Sequence, residues 1–151
     1  MVAPRIKLLL AISIVAVLAV PAWILASPLF FATQGTEETP TGFTSVIATG
    51  AFMDGEPGHV NSGEASLLHD GSAYILHFEN FFVTNGPGLN VYLTLDPRVA
   101  PGDLDLGPLK ASQGSSNYPI PDGVDPRSYR YVVIWCVPFS VQFGFAPLTF
   151  T

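Results

Sequence analysis

The chain has 151 residues, of which 48% are hydrophobic and 12% charged, with a formal net charge of −6 and a single cysteine, Cys136. A typical soluble domain carries about twice that charged share, so the chain is too apolar for disorder, and its length allows one domain and an appendage but not two full domains. One cysteine excludes an internal disulfide and a CxxC-type metal site, and the acidic balance excludes nucleic acid as a partner, because phosphate binding needs a basic surface.

The amino end carries Arg5 and Lys7 and no other charge before Glu37. Between them runs an apolar stretch, 8–31, broken only by Ser13, Pro21, Ser27 and Pro28. As a helix, Leu8 to Leu25 is about 27 Å long, close to the ~30 Å hydrocarbon core, so the stretch predicts a transmembrane anchor. A cleaved signal sequence is the alternative, but such a core is usually shorter and ends at a small-x-small site, whereas Ile24-Leu25-Ala26 offers Ile at the first small position. Residues 1–7 then form a cytoplasmic basic end, and the chain after about residue 32 faces outward, extracytoplasmic. Four basic residues, Arg98, Lys110, Arg127 and Arg130, stand against all twelve acids in the outward part, leaving it eight negative charges. Residues 32–42, polar and with Pro40 near the end, read as a tether.

From residue 43 to 149 no apolar pattern holds helical spacing over three turns, while period-two runs and turn residues recur about every ten residues. His59 to Leu68, Asp70-Gly71 and Ser72 to Phe82 predict a hairpin, with Tyr74, Leu76 and Phe78 facing the core and Ile75, His77 and Glu79 facing outward. Asn85-Gly86-Pro87-Gly88 is a turn before a strand over Leu89 to Leu95. Asp96 to Gly107 and Pro119 to Arg127 read as long loops. Tyr131 to Val137 is apolar on both faces, as in a central strand, with Trp135 its expected core anchor. After Pro138, Phe139, Val141, Phe143 and Phe145 alternate with Ser140, Gln142 and Gly144, a strand with one face buried. Seven or eight short strands in this length predict an all-β, two-sheet antiparallel sandwich behind one amino-terminal transmembrane helix.

Six segments, GAFMDGEPGHVNSGEASLL at 50–68, LHFENFFVTNGPGLNVYL at 76–93, LDLGPLK at 104–110, NYPIPDGVD at 117–125, VVIWC at 132–136 and GFAPL at 144–148, resemble the DM-thirteen domain, also called the electron-transfer DM-thirteen domain. The resemblance covers about residues 43–149. It implies a β-sandwich related to the DOMON domains, which include haem and sugar binders. It also implies a redox role for Cys136, as a bare thiol or as a prosthetic-group ligand, in a single domain behind one membrane segment.

On residue chemistry alone, Cys136 on an apolar strand is a small buried hydrophobe, and a reactive thiol would need partial exposure and a nearby cation from another part of the fold. A haem would need an axial ligand, for which His59, His69, His77, Cys136 and Met53 are the available side chains. His59 lies in the family-like segment and could approach Cys136 from another strand, making Cys136 and His59 the candidate haem pair. His69 beside the turn and His77 beside Glu79 are expected to be solvated. There is no CxxCH for covalent haem, a closed zinc site lacks ligands, and Asp96, Asp103 and Asp105 lack the ladder of a calcium loop. No GxSxG occurs, and no pair of carboxylates stands out for hydrolysis. Three functions follow: a membrane-anchored redox accessory protein using Cys136, with a redox partner; a non-catalytic module that binds a cell-surface protein or polymer through its acidic loops, with Cys136 structural; or a small-molecule binder using the interior of the sandwich.

Overall fold

The computed structural model describes residues 33–151, and both the basic end, 1–7, and the anchor expected at 8–31 lie outside the described residues. Among the described residues no helix is long and apolar enough to cross a membrane. They form two β-sheets and one 3-10 turn at Pro126–Ser128.

In chain order the strands are β1 (Gln34–Thr36), β2 (Ser45–Ala51), β3 (Met53–Asp54), β4 (Asn61–His69), β5 (Tyr74–Val83), β6 (Leu89–Thr94), β7 (Leu104–Pro108), β8 (Gln113–Pro119), β9 (Tyr131–Cys136), β10 (Val141–Pro147) and β11 (Thr149–Phe150). Eight of them have five residues or more, in line with the sequence reading. The six-stranded sheet runs β1-β8-β5-β4-β2-β11 and the five-stranded sheet β3-β10-β9-β6-β7. All pairings are antiparallel except β1 with β8, which is parallel.

The period-two alternation dictates which side chains meet between the sheets. Leu67, Leu76, Phe78 and Val83 come from one sheet and Val91, Leu93, Val132 and Ile134 from the other, each no more than 1% exposed. At about 25 cal/mol per Å² of apolar surface, such burial is the main force joining the sheets. The β4–β5 connection is a four-residue loop in which Asp70 Oδ1 accepts the backbone N–H groups of Ser72 and Ala73, both at 2.8 Å.

Several expectations change. The predicted loop over Asp96 to Gly107 ends in an edge strand, β7, and residues 95–103 fold back across the outer face of the five-stranded sheet. The Gln142 side chain donates there to the carbonyl of Pro97, and Arg98 meets Glu56 at 3.9 Å. Central strand β9 turns Val132, Ile134 and Cys136 inward, so Trp135 is a half-buried outer residue, not the core anchor. In β10 a bulge between Gln142 and Gly144 reverses the alternation. Phe143 and Ala146 are thereby buried, Phe145 is partly exposed, and Phe139 stands 69% exposed in the preceding turn. Gln34–Thr36, expected in a tether, is a strand on the open side of β8.

Candidate functional site

Cys136 closes β9 at the end of the sandwich where β4 and β10 begin, β5 ends and β6 begins. Its register partners are Leu89 on one side and Val141 on the other. The side chain is 1% exposed, and its thiol donates to the carbonyl of Pro87 at 3.1 Å. The turn that supplies this carbonyl, Asn85 to Gly88, is pinned to the strand end by the Val137 N–H bonding to the Gly88 carbonyl at 3.0 Å. Gly86 lies against the Phe143 ring, where a Cβ would come within 2.5 Å of a ring carbon.

His59 reaches the same end from the 55–60 loop. Its imidazole stacks on Phe143 with centroids 3.8 Å apart and an interplanar angle of 21°. Among the described residues, its Nδ1 has no hydrogen-bond partner, and neither do Oδ1 and Nδ2 of Asn61, a side chain only 5% exposed. Asn61 begins β4 and points across the sandwich at Gly144, which has no side chain to occupy that space. Gly144 in turn pairs with Ile134, two residues before Cys136 on the same inward face. The bare stretch of β10 backbone at Gly144 is thus what admits the buried carboxamide of Asn61. Sequence reading passed over Asn61, because its only signal was a polar residue two positions from a strand-initiating histidine.

The other candidate ligands lie elsewhere. Met53 is 50% exposed on the two-residue edge strand β3. His69 stacks on Tyr74 at 4.2 Å and accepts the Gly71 N–H, at the far end of the sandwich. His77, expected to be solvated, is 7% exposed and shares a 2.7 Å hydrogen bond with Asn117 Oδ1. Asn117 Nδ2 donates to the Glu38 carbonyl, so the segment after β1 is what covers this outer face. The loop acids are spent locally: Asp103 accepts the Ala100 N–H and Asp105 the Asn90 side chain and the Gly107 N–H. Among the described residues no three His, Cys, Asp or Glu side chains converge as metal ligands.

Among the described residues each Lys and Arg that could activate a thiol is engaged elsewhere. Arg98 pairs with Glu56, Lys110 with Glu37 and Arg127 with Asp125, while Arg130 lies over the Phe150 ring. The Cys136 thiol therefore faces a neutral carbonyl in an apolar setting. These residues do not fit a haem held between Cys136 and His59. The cysteine is 1% exposed within the core, its thiol donates to a backbone carbonyl, and the His59 ring is laid flat on Phe143.

A family model described as electron transfer DM13 matches residues 52–148. No curated protein and no solved structure matches the chain.

Proposed function

The chain belongs to the electron transfer DM13 family, and from that premise we propose that it is an electron-transfer accessory protein, held at the outer face of a membrane by residues 8–31, in which the Cys136 thiol is the redox group. One observation carries the assignment of Cys136: the sequence's single sulfhydryl is the last residue of β9, at one end of the core, where its thiol donates to the Pro87 carbonyl of the 85–88 turn. Displacing that turn breaks a hydrogen bond from the thiol and one from Val137 and exposes the sulfur, while the sheet ladders stay intact. Local openings of this kind require far less free energy than global unfolding.

The test is thiol labelling of the folded full-length chain at neutral pH. Cys136 is expected to react with a soluble maleimide much faster than the chain unfolds globally, and labelling that tracks unfolding would overturn the proposal. That second outcome favours the reading of Cys136 as a packing residue in a binding module, which its 1% exposure and neutral surroundings support. The binding surface is then at the far end, where a half-open cleft of about 230 Å³ is lined by Ser72, Tyr74, Ile120, Asp122 and Asp125. In that case Cys136→Ser leaves partner binding unchanged.

A further inference from the structure

Asn85-Gly86 is the only asparagine–glycine step in the chain. Such a pair commonly marks a mirror-image turn, in which both residues take positive φ. Here neither does, and the left-handed residue of the segment is Gly88, with φ 58°. Glycine at 86 is required by space instead, because a Cβ there would meet the Phe143 ring at 2.5 Å. Asn85 has no comparable packing role. Its side chain is partly exposed and makes no hydrogen bond among the described residues.

The four other asparagines are held differently. Asn61, Asn80, Asn90 and Asn117 lie inside β4, β5, β6 and β8, and each is followed by a residue with a side chain. Asn90 and Asn117 also engage their carboxamides, the first with Asp105 and the second with His77 and Glu38. Asn85 stands between β5, which ends at Val83, and β6, which starts at Leu89. The N–H groups of Val83 and Thr84 donate to the carbonyls of Ser112 and Val60, but the Gly86 N–H has no partner among the described residues. A free carboxamide therefore precedes an unbonded backbone nitrogen, on a residue without a side chain to crowd an approach. Asparagine is among the thermolabile residues.

We propose that Asn85 is a site of spontaneous deamidation, and that its isoaspartyl product loosens the turn over Cys136. The Gly86 nitrogen, on losing its proton, attacks Cγ of Asn85. A nitrogen–Cγ bond closes a succinimide ring, the Cγ–Nδ2 bond breaks, and Nδ2 leaves as ammonia with the proton. Water then opens the ring at either carbonyl. Attack at Cγ leaves an aspartyl residue, and attack at the main-chain carbon leaves an isoaspartyl residue, whose backbone runs through the side-chain carboxyl. Both products add a negative charge. The isoaspartyl form also adds a methylene to the backbone immediately before Gly86, which has no room against Phe143 to absorb it. The carbonyls of Pro87 and Gly88 just beyond accept the Cys136 thiol at 3.1 Å and the Val137 N–H at 3.0 Å, so an extended turn displaces both acceptors. This second step rests on the reading of the 85–88 turn as the cover of Cys136.

The experiment incubates the folded full-length chain at neutral and at mildly alkaline pH and follows it by peptide mass mapping, with isoaspartate counted by an isoaspartyl-specific methyltransferase. The expected result is progressive loss of Asn85 to acid forms, faster at the higher pH because the nitrogen must lose its proton, with the other four asparagines unchanged. Asn85→Gln is expected to stop the conversion, since closure onto the longer side chain needs a larger ring. If Asn85 persists in the folded chain while the same chain in urea converts, or if the other asparagines convert as fast, the site is overturned. The isoaspartyl and parent forms, separated by chromatography, are then labelled with a soluble maleimide. Faster labelling of Cys136 in the isoaspartyl form is expected, whereas Asn85→Asp, which carries the charge without the extended backbone, is expected to label like the parent. Equal labelling of the isoaspartyl and parent forms overturns the coupling to the turn. Labelling of the unmodified chain by itself tests Cys136 as the redox group, so the two failures are distinguishable.

Discussion

A methyl group at position 144 would overlap the carboxamide of Asn61, a side chain held 95% out of solvent. Gly144→Ala is therefore expected to destabilise the domain by about 1–3 kcal/mol, as overpacking does in a filled interior. Urea unfolding measures this, and adding Asn61→Ala to the same chain is expected to recover part of the loss, because contacting residues couple. Strict additivity of the two changes would mean that Asn61 does not occupy that space. Tyr118 makes a second prediction at this scale. Burial pushes its hydroxyl up to about 12 from the ordinary 10.0, and the oxygen accepts the Lys110 N–H at 3.0 Å. A neutral phenol in the folded state and an anion in the unfolded one means that stability is complete below pH 10 and declines as pH rises towards 12. Phenolate absorbance should show Tyr118 ionising together with alkaline unfolding, and an early, independent titration would contradict its burial.

Strand β1 shows how three residues with no hydrophobic signal become structural. Gln-Gly-Thr has neither alternation nor branched side chains, and reads as tether in the sequence. It forms a strand because β8 offers an unpaired edge, and because Glu37 just beyond it accepts the Asn117 N–H at 2.6 Å and the Lys110 ammonium at 3.1 Å. The Asn117 bond, then Lys110, holds the Glu37 carboxyl below its ordinary 4.5. Its contribution is present above that pH and vanishes as pH falls through the lowered folded value. Glu37→Gln should cost about 1 kcal/mol near neutral pH, a value already reduced for the exposure of the ion pair. The gap between parent and variant should close under acid, and a gap independent of pH would show that the carboxylate's charge is not what fastens the segment. The same element explains why His77 was misread. Residues 74–79 alternate faithfully, but what lies over their outer face at His77 comes from Asn117, 40 positions later, and from the segment around Glu38, far earlier in the chain, and no local pattern encodes that. Strands β4, β5, β6 and β9 were legible as strands from their apolar runs and flanking turns, although a register shift between Phe78 and Phe81 moves the inward face of β5 from Leu76 and Phe78 to Phe81 and Val83. The bulge in β10 was not, because inserting one residue leaves the composition unchanged while exchanging the faces of everything after it. Cys136 and His59 were legible as residue types, whereas the Phe143 ring under His59, the carbonyl over the thiol and the orphaned Asn61 depend on turns meeting across the two sheets.

At the scale of the molecule, the unit that folds is larger than the part the family model matches. The match runs from Phe52 to Leu148, whereas the six-stranded sheet draws β1 and β2 from before it and β11 from after it. Three of that sheet's six strands thus lie outside the matched region, and they include both edges. Without β1 the backbone of β8 loses its outer partner, and without β2 the same is true of β4 along its length from Glu64 to His69. Exposed edges of this kind pair with other chains. Moreover, loss of the segment after β1 uncovers His77 and Asn117, and loss of β2 removes Ala48, fully buried in the core. A polypeptide spanning 52–148 should therefore self-associate, with scattering mass rising steeply with concentration, while one spanning 33–151 should stay monomeric at the same concentrations. A monomeric, cooperatively unfolding 52–148 would contradict this account, since the remaining β4-β5-β8 sheet would then have to close its own edges.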